Sequence, residues 1–220
     1  MQPFNFTYDK KTDSYIITSY YGEEEDVIIP LFYNNKLITK IGDSAFEGLN
    51  IKSIRIPDTI VSIGNYAFAG CDYLQIKGGF PKYLEEIGEG AFTGVFLENI
   101  VLPDTCTKIG DIAFDPLVLE SIKLPSYIKE LPIEFLGGAH NLKEVRLPET
   151  LKTLKRDFFS CCTALEKIYL PKSLKLIEEN AFFDCVSLKE IEYEGSEYDF
   201  NNIKVEQGNG YLRNCKVCFE

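Results

Sequence analysis

The chain repeats itself with an almost fixed step, and that step limits what it can fold into. Six times a proline is followed three and six residues later by apolar residues, at Pro57, Pro81, Pro103, Pro125, Pro148 and Pro171, with steps of 24, 22, 22, 23 and 23. A second anchor keeps the same time at Phe46, Phe68, Phe92, Phe114, Leu136, Phe159 and Phe182. A period in the twenties marks a solenoid, in which each unit buries its apolar face only against its neighbours. Such a fold offers a long surface and rarely a catalytic cleft.

Each repeat carries a strand phrase that ends in proline, as in Leu97-Glu-Asn-Ile100-Val-Leu102-Pro103 and Leu165-Glu-Lys-Ile168-Tyr-Leu170-Pro171. Positions one and three before the proline point inward by strand alternation, and the proline ends the strand. The return phrase, as in Ile63-Gly64-Asn65-Tyr66-Ala67-Phe68, predicts a short strand followed by one helical or 3-10 turn. Gly64, Gly88 and Gly110 are expected to permit the bend there. Equivalent crossovers make successive strands parallel and, by default, right-handed. The predicted fold is therefore a mainly-β or α/β repeat. It is a single right-handed solenoid with a parallel sheet on one face and short strands or 3-10 turns on the other.

Two coils break the pattern. In Lys77-Gly78-Gly79-Phe80-Pro81 a glycine stands at the inward position, predicting a bulge or weakened strand, and Pro132 replaces the return glycine. Residues 1–30 lack the repeat. Phe4, Phe6 and Tyr8 alternate, the turn-rich 9–13 follows, and a second alternating run spans 15–20, which together predict a β-hairpin cap. Val27-Ile28-Ile29-Pro30 imitates the strand that precedes each proline. The first coil is long, 27 residues from Pro30 to Pro57, with the excess near Asn34-Asn35. About seven coils of 22–24 residues fill 31–193. Residues 194–220 are expected to close the end, with Tyr198, Phe200 and Ile203 folding over the core. Leu212, Cys215 and Val217, each 24 residues beyond Leu188, Ile191 and Tyr193, are expected to make a last, degenerate strand.

Several functions are disfavoured by composition. A net charge of −11 opposes duplex nucleic acid, whose phosphates need a basic footprint, and anionic membrane surfaces. No run of 18 apolar residues predicts a membrane-spanning helix. The N-terminus lacks the basic and apolar regions of a secretion signal, so an intracellular site stays open beside a trimmed leader. Of the seven cysteines, Cys71, Cys162 and Cys185 sit three residues after an anchor, where other copies put Leu49, Val95, Leu117 and Ala139. Cys106 replaces an apolar residue three after Pro103. All four read as small buried apolar groups. Cys162 and Cys185 fall on neighbouring ladder positions, but stacked strands rarely present disulfide geometry.

The phrases Ile41-Gly42-Asp43-Ser44-Ala45-Phe46, Ile63-Gly64-Asn65-Tyr66-Ala67-Phe68-Ala69-Gly70-Cys71 and Leu165–Pro171 resemble the BspA-type leucine-rich repeat family. The closing segment Tyr193–Phe200, with Gly208-Asn209 and Leu212–Val217, is similar to that family's last coil. The resemblance implies bacterial or protist surface proteins, adhesin-like, that bind host or neighbouring-cell proteins. The alternative is an intracellular scaffold using the same repeat surface.

Little in the chain suggests reaction chemistry. His140 is the one histidine, set in a loop, and nucleophilic catalysis needs an imidazole held by a partner. Cys215-Lys-Val-Cys218 is a lone C-x-x-C without the second pair that a zinc site needs, and alternation leaves Cys218 outward as the exposed thiol. Glu23-Glu-Glu-Asp26 reads as a solvated acidic loop without calcium-ligand spacing. No catalytic residue, metal or cofactor is expected.

The informative surface is the outward side of the strand phrase. Positions four and two before proline are Ser53/Arg55, Lys77/Gly79, Asn99/Val101, Ser121/Lys123, Glu144/Arg146, Lys167/Tyr169 and Glu190/Glu192. This set holds five basic and three acidic residues on an otherwise acidic chain. Arg55, Lys77, Lys123, Arg146, Lys167 and Tyr169 are the candidate ligand-binding residues, with Arg55, Lys123, Arg146 and Tyr169 read as a line facing a protein or glycoprotein. Arg and Tyr are frequent interface anchors.

Overall fold

The computed structural model describes residues 3–115 and 118–219, so Leu117 lies outside the described residues. The described chain forms two compact units, one of residues 3–96 with 108–115 and one of 97–107 with 118–219. The fold is a parallel β-solenoid of leucine-rich-repeat type with almost no helix. Nine strands of the proline-ended kind occur among the described residues, counting Asp26–Ile28 and Lys216–Phe219 at the ends.

In the first unit the hairpin forms as the alternation predicts. Phe4–Asp9 and Ser14–Tyr20 pair antiparallel, with Asp9 opposite Ser14. Ser14–Tyr20 then pairs in parallel with Lys36–Ile41, and the ladder continues through Ser62–Ile63, Glu86–Ile87 and Lys108–Ile109. The cap thereby continues the return sheet and starts its buried row Ile17, Ile41, Ile63 and Ile87. Tyr20 also begins the aromatic stack. Its ring lies 5.6 Å from Phe46, and Phe46–Phe68, Phe68–Phe92 and Phe92–Phe114 follow at 4.9, 5.3 and 5.5 Å, all near-parallel. The extra length of the first coil is a small hairpin, Phe32–Tyr33 against Lys36–Leu37. Its turn residues Asn34 and Asn35 are both left-handed, the conformation a two-residue hairpin loop requires.

The return segment is not the helical turn expected from its pattern. Phe46, Phe68 and Phe92 donate their amides to Ala67, Ala91 and Ala113 of the following coil, each at 2.8 Å. The amides between them turn back on their own coil, Ala45 to Gly42 and Glu47 to Ser44. A helix would spend every amide within the segment, whereas here alternate amides cross to the neighbour. The alternation needs left-handed residues at two fixed places, filled by Ser44, Tyr66, Gly90 and Ile112 at the first and Gly48, Gly70 and Gly94 at the second.

The role expected of Gly64, Gly88 and Gly110 is also corrected. None is left-handed. A Cβ at Gly88 would lie 2.6 Å from the Asn65 backbone nitrogen and 2.7 Å from the Gly64 carbonyl carbon, and one at Gly110 would lie 2.4 Å from the Glu89 nitrogen. These glycines serve close stacking of successive coils. The third coil is likewise re-registered. Ser53–Arg55 pairs with Gln75–Ile76, placing Ile76 beside Ile54 and Gln75 beside Ser53. The outward pair is therefore Gln75/Lys77, not Lys77/Gly79. Gly78 and Gly79, both left-handed, form an inserted loop before the proline, so no glycine replaces the inward Ile. The strand is short, as expected.

In the second unit Asn99–Val101 pairs with Ser121–Lys123, and Glu144–Arg146, Lys167–Leu170, Glu190–Tyr193 and Lys216–Phe219 form a four-stranded parallel sheet. Thr153–Leu154, Leu176–Ile177 and Lys204–Val205 make the return ladder. Leu136 is buried at its anchor position, and Phe159 and Phe182 stack at 5.2 Å. The last strand exists but sits two residues later than counted. Ile191 faces Val217 and Tyr193 faces Phe219, while Leu212 lies in the 3-10 turn Gly210–Asn214 and Cys215 just follows it. The closing segment holds the helix Glu197–Asn201, started by a capping box between Ser196 and Asp199. Ile203 is buried, and Phe200 packs 5.3 Å from Tyr193. Tyr198 does not cover the core; it is 77% exposed, on the outer face of that helix.

Candidate interaction face

Strand alternation decides which side chains face out, and the register fixes their neighbours. In the first unit Ile28 lies beside Arg55, and Lys77 follows, its amide donating to the Ile54 carbonyl. Ile28 is 69% exposed, and Arg55 and Lys77 are exposed without an ion-pair partner among the described residues. In the parallel row Ser53, predicted outward, is buried, and its hydroxyl donates to Asp26 at 2.5 Å.

Two environments occur in the second unit. On its two-stranded ladder Val101, 61% exposed, lies beside Lys123, which has no ion pair among the described residues. Lys123 adds a smaller attraction to a nearby acid, Asp104. The Ser126 backbone amide, 2.9 Å away, and the Ser126 hydroxyl are the main causes that hold the Asp104 carboxyl below its ordinary range. On the four-stranded sheet the cations are already engaged. The Arg146 guanidinium lies 4.1 Å from the Tyr169 ring centre and 2.7 Å from a Glu194 carboxylate oxygen. The Lys167 ammonium contacts Glu190 at 2.7 Å and Glu192 at 2.9 Å and lies 4.9 Å from the same ring. The two carboxylates raise the Lys167 pKa, and Lys167 in turn lowers that of Glu190.

The six candidates therefore separate by unit and by partner. Arg55 and Lys77 are neighbours in one unit; Arg146, Lys167 and Tyr169 form one cluster in the other, where Lys123 stands on a different ladder. Counting from the prolines missed the neutralising Glu194, which lies beyond the last repeat. It also missed the exposed apolar Ile28 and a ring cluster on the cap, where Phe6 and Tyr33 stack at 4.1 Å with Tyr15 edge-on at 5.0 Å. Cap aromatics were legible in the hairpin alternation, but which side they faced was not.

The other candidate chemistries are placed plainly. His140 is exposed, its Nδ1 3.4 Å from the Thr163 hydroxyl, and no carboxylate holds the ring among the described residues. Glu190, Glu192 and Cys218 bring ligand atoms within 4.8 Å of one another. The Lys167 ammonium already supplies the positive charge between those carboxylates. Glu23 to Asp26 are exposed. None of the seven cysteines is in a disulfide; Cys71, Cys106, Cys162 and Cys185 are buried, and Cys218 shares partial exposure with Cys161 and Cys215. No helix among the described residues is long and apolar enough to cross a membrane.

A repeat scaffold with paired ladders and an open strand face defines a leucine-rich-repeat interaction protein. The BspA type leucine rich repeat region matches residues 39–117 and 109–207 in six copies, so the chain belongs to that family. Among solved structures, a leucine-rich repeat protein from Bacteroides ovatus is 22% identical with a TM-score of 0.67, covering 100% of this chain and 70% of that one. The T. pallidum leucine rich repeat protein is 20% identical with a TM-score of 0.55, covering 99% and 95%. A search of curated proteins finds no match.

Proposed function

We propose that the chain is a non-enzymatic binding module that presents its outward strand face to an acidic protein or glycoprotein at a cell surface. One observation carries the reading in each unit: Arg55 and Lys77 stand exposed without an ion-pair partner among the described residues beside the apolar Ile28 in the one, and Lys123 does so beside Val101 in the other. Exposed apolar groups next to unneutralised cations suit a partner with carboxylates around an apolar spot. Arg146 and Lys167 lie over the Tyr169 ring with their charges already met by Glu190, Glu192 and Glu194, so they contribute less to such a partner. Membership of the repeat family supports the interaction role.

The test is biolayer interferometry against a panel of acidic extracellular-matrix glycoproteins, comparing the wild type with Arg55→Glu/Lys77→Glu/Lys123→Glu. The triple variant is expected to lose at least tenfold in affinity together with most of the salt dependence. An affinity that survives the triple reversal refutes the assignment of this face.

A further inference from the structure

The hairpin cap of the first unit does not close the return sheet; it moves the open edge one strand outward. Phe4–Asp9 comes first in the strand order and pairs on one side only, with Ser14–Tyr20. The bonds of Ser14–Tyr20 decide which backbone groups are left over. The Tyr20 amide donates to the Ala45 carbonyl, and the Ile17 carbonyl accepts from the Gly42 amide, so both residues direct their backbone away from the first strand. Their partners across the hairpin are Phe4 and Phe6. Strand alternation adds Tyr8 and leaves Asn5, Thr7 and Asp9 bonded inward. The Pro3 carbonyl, which accepts the Tyr21 amide, fits the same alternation. Phe4, Phe6 and Tyr8 therefore aim amide and carbonyl at the open edge, and no other segment bonds them there among the described residues.

Native sheets guard such an edge with lysine, proline, a bulge or an inward charge. Phe4–Asp9 contains no lysine and no proline. The irregularity beside Asn5 and Phe6 puts its extra residue in the partner strand, so the edge strand itself stays regular. Its one charge, Asp9, is paired with Lys40 at 3.0 Å. By contrast Lys204–Val205 and Lys216–Phe219, last in the two ladders of the second unit, each begin with a lysine. The side chains flanking the open edge are also uncharged. On one side the rings of Phe6, Tyr8, Tyr15 and Tyr33 cluster, with Tyr8 exposed. On the other side Asn5 and Thr7 are exposed.

We propose that this edge pairs antiparallel with the same edge of a second copy of the chain, about a twofold axis at Phe6. The axis sets Phe6 opposite the second copy's Phe6 and Phe4 opposite its Tyr8, so every outward amide meets an outward carbonyl. A slip of two residues along the strand leaves fewer such pairs. The same register sets Thr7 across from the second copy's Asn5, neutral on neutral, with no like charges opposed. It also brings the two ring clusters together and removes exposed aromatic surface from water. A foreign strand would have to supply this pattern; a second copy supplies it by symmetry. Joining two copies doubles the outward strand faces per particle, which favours multivalent attachment if those faces bind as proposed.

Sedimentation equilibrium and hydrogen exchange on the full chain provide the test. The paired edge is short, so a dimer that dissociates on dilution is expected. The Phe6 and Tyr8 amides should exchange slowly in concentrated protein and fast in dilute protein, whereas the inward Thr7 amide stays slow in both. Asn5→Lys/Thr7→Lys sets lysines opposite one another across the axis and should weaken the dimer at least about tenfold. Asn5→Glu/Thr7→Glu should do the same, and mixing the two variants should restore a mixed dimer. Circular dichroism checks that both fold; if either does not, the concentration dependence of the wild-type amides decides alone. Arg55→Glu/Lys77→Glu/Lys123→Glu should dimerise as the wild type does, which keeps this test separate from that of the strand face. The proposal is overturned by a wild type that stays monomeric at every concentration, by a dimer in which Phe6 and Tyr8 exchange alike at all concentrations, by a lysine variant that dimerises as the wild type does, or by a mixture of the two charge variants no more dimeric than either alone.

Discussion

Gly88→Ala separates two reasons for a glycine that the sequence alone leaves indistinguishable. If the residue were needed only to relax the chain, alanine at this ordinary backbone conformation would stabilise the protein by about 0.4–1 kcal/mol, through a less flexible unfolded state. The structure implies the opposite sign. The new Cβ would meet the Asn65 nitrogen and side-chain oxygen at 2.6 Å each and the Gly64 carbonyl carbon at 2.7 Å. Two of those atoms are backbone held in the neighbouring coil, so relief requires the coils to part. Overpacking of this kind costs about 1–3 kcal/mol, which outweighs the entropic gain. For a chain of this size, a net loss of about 1–2 kcal/mol lowers Tm by roughly 2–8 °C. Gly48→Ala is the contrast: its Cβ has nothing within 4 Å, but its φ is +68°, so its cost is left-handed strain of about 1–2 kcal/mol. Urea and thermal melts of both variants, with hydrogen exchange at Asn65 and Glu89, measure the effects. A Gly88→Ala protein as stable as the wild type, or more so, with unchanged exchange at those amides would refute close coil stacking as the reason for the glycine.

Two further outcomes are expected. The Lys40 ammonium, 3.0 Å from Asp9, is the main cause that pulls the Asp9 pKa down from 3.8 to about 2. A carboxylate lowered in the folded state contributes stability that is complete above pH 3.8 and is lost as pH falls through about 2. Lys40→Met should therefore return the Asp9 titration, followed by carboxyl NMR, toward 3.8 and remove that share of the acid dependence; an unmoved midpoint would disprove the pairing. For the thiols, burial pushes Cys162 up to about 12, and Cys185 is raised for the same reason. Maleimide at pH 8 should modify the partly exposed Cys161, Cys215 and Cys218 first, leaving Cys106 and Cys162 intact until urea unfolds the chain. Fast modification of Cys106 or Cys162 would show the ladder register to be wrong.

Much of this architecture was legible because repetition multiplies a weak signal. One Ile-Gly-x-x-Ala-Phe phrase says little, yet the same phrase at a constant step places Phe46, Phe68, Phe92 and Phe114 on successive rungs, where the rings stack. The hairpin cap was readable from its alternation, and the burial of Cys71, Cys106, Cys162 and Cys185 from the residues that replace them in other copies. Counting back from a proline failed where residues were inserted between strand and proline, as at Gly78-Gly79, since a step of 24 does not say where the two additional residues lie. It failed again at the last strand, where the helix Glu197–Asn201 and the 3-10 turn lengthen the final coil.

The sequence by itself determined the solenoid, its parallel strands and the inward rows, because these follow from periodicity, and periodicity is a property of one dimension. The tertiary structure alone decided which outward charges are spent. Arg146 and Lys167 read as free cations along the chain, yet Glu190, Glu192 and Glu194, more than twenty residues away, arrive beside them when the coils stack. Whether a glycine serves a left-handed turn or a close approach depends on atoms in the adjacent coil. Distances between coils are set by packing, and no local pattern contains them.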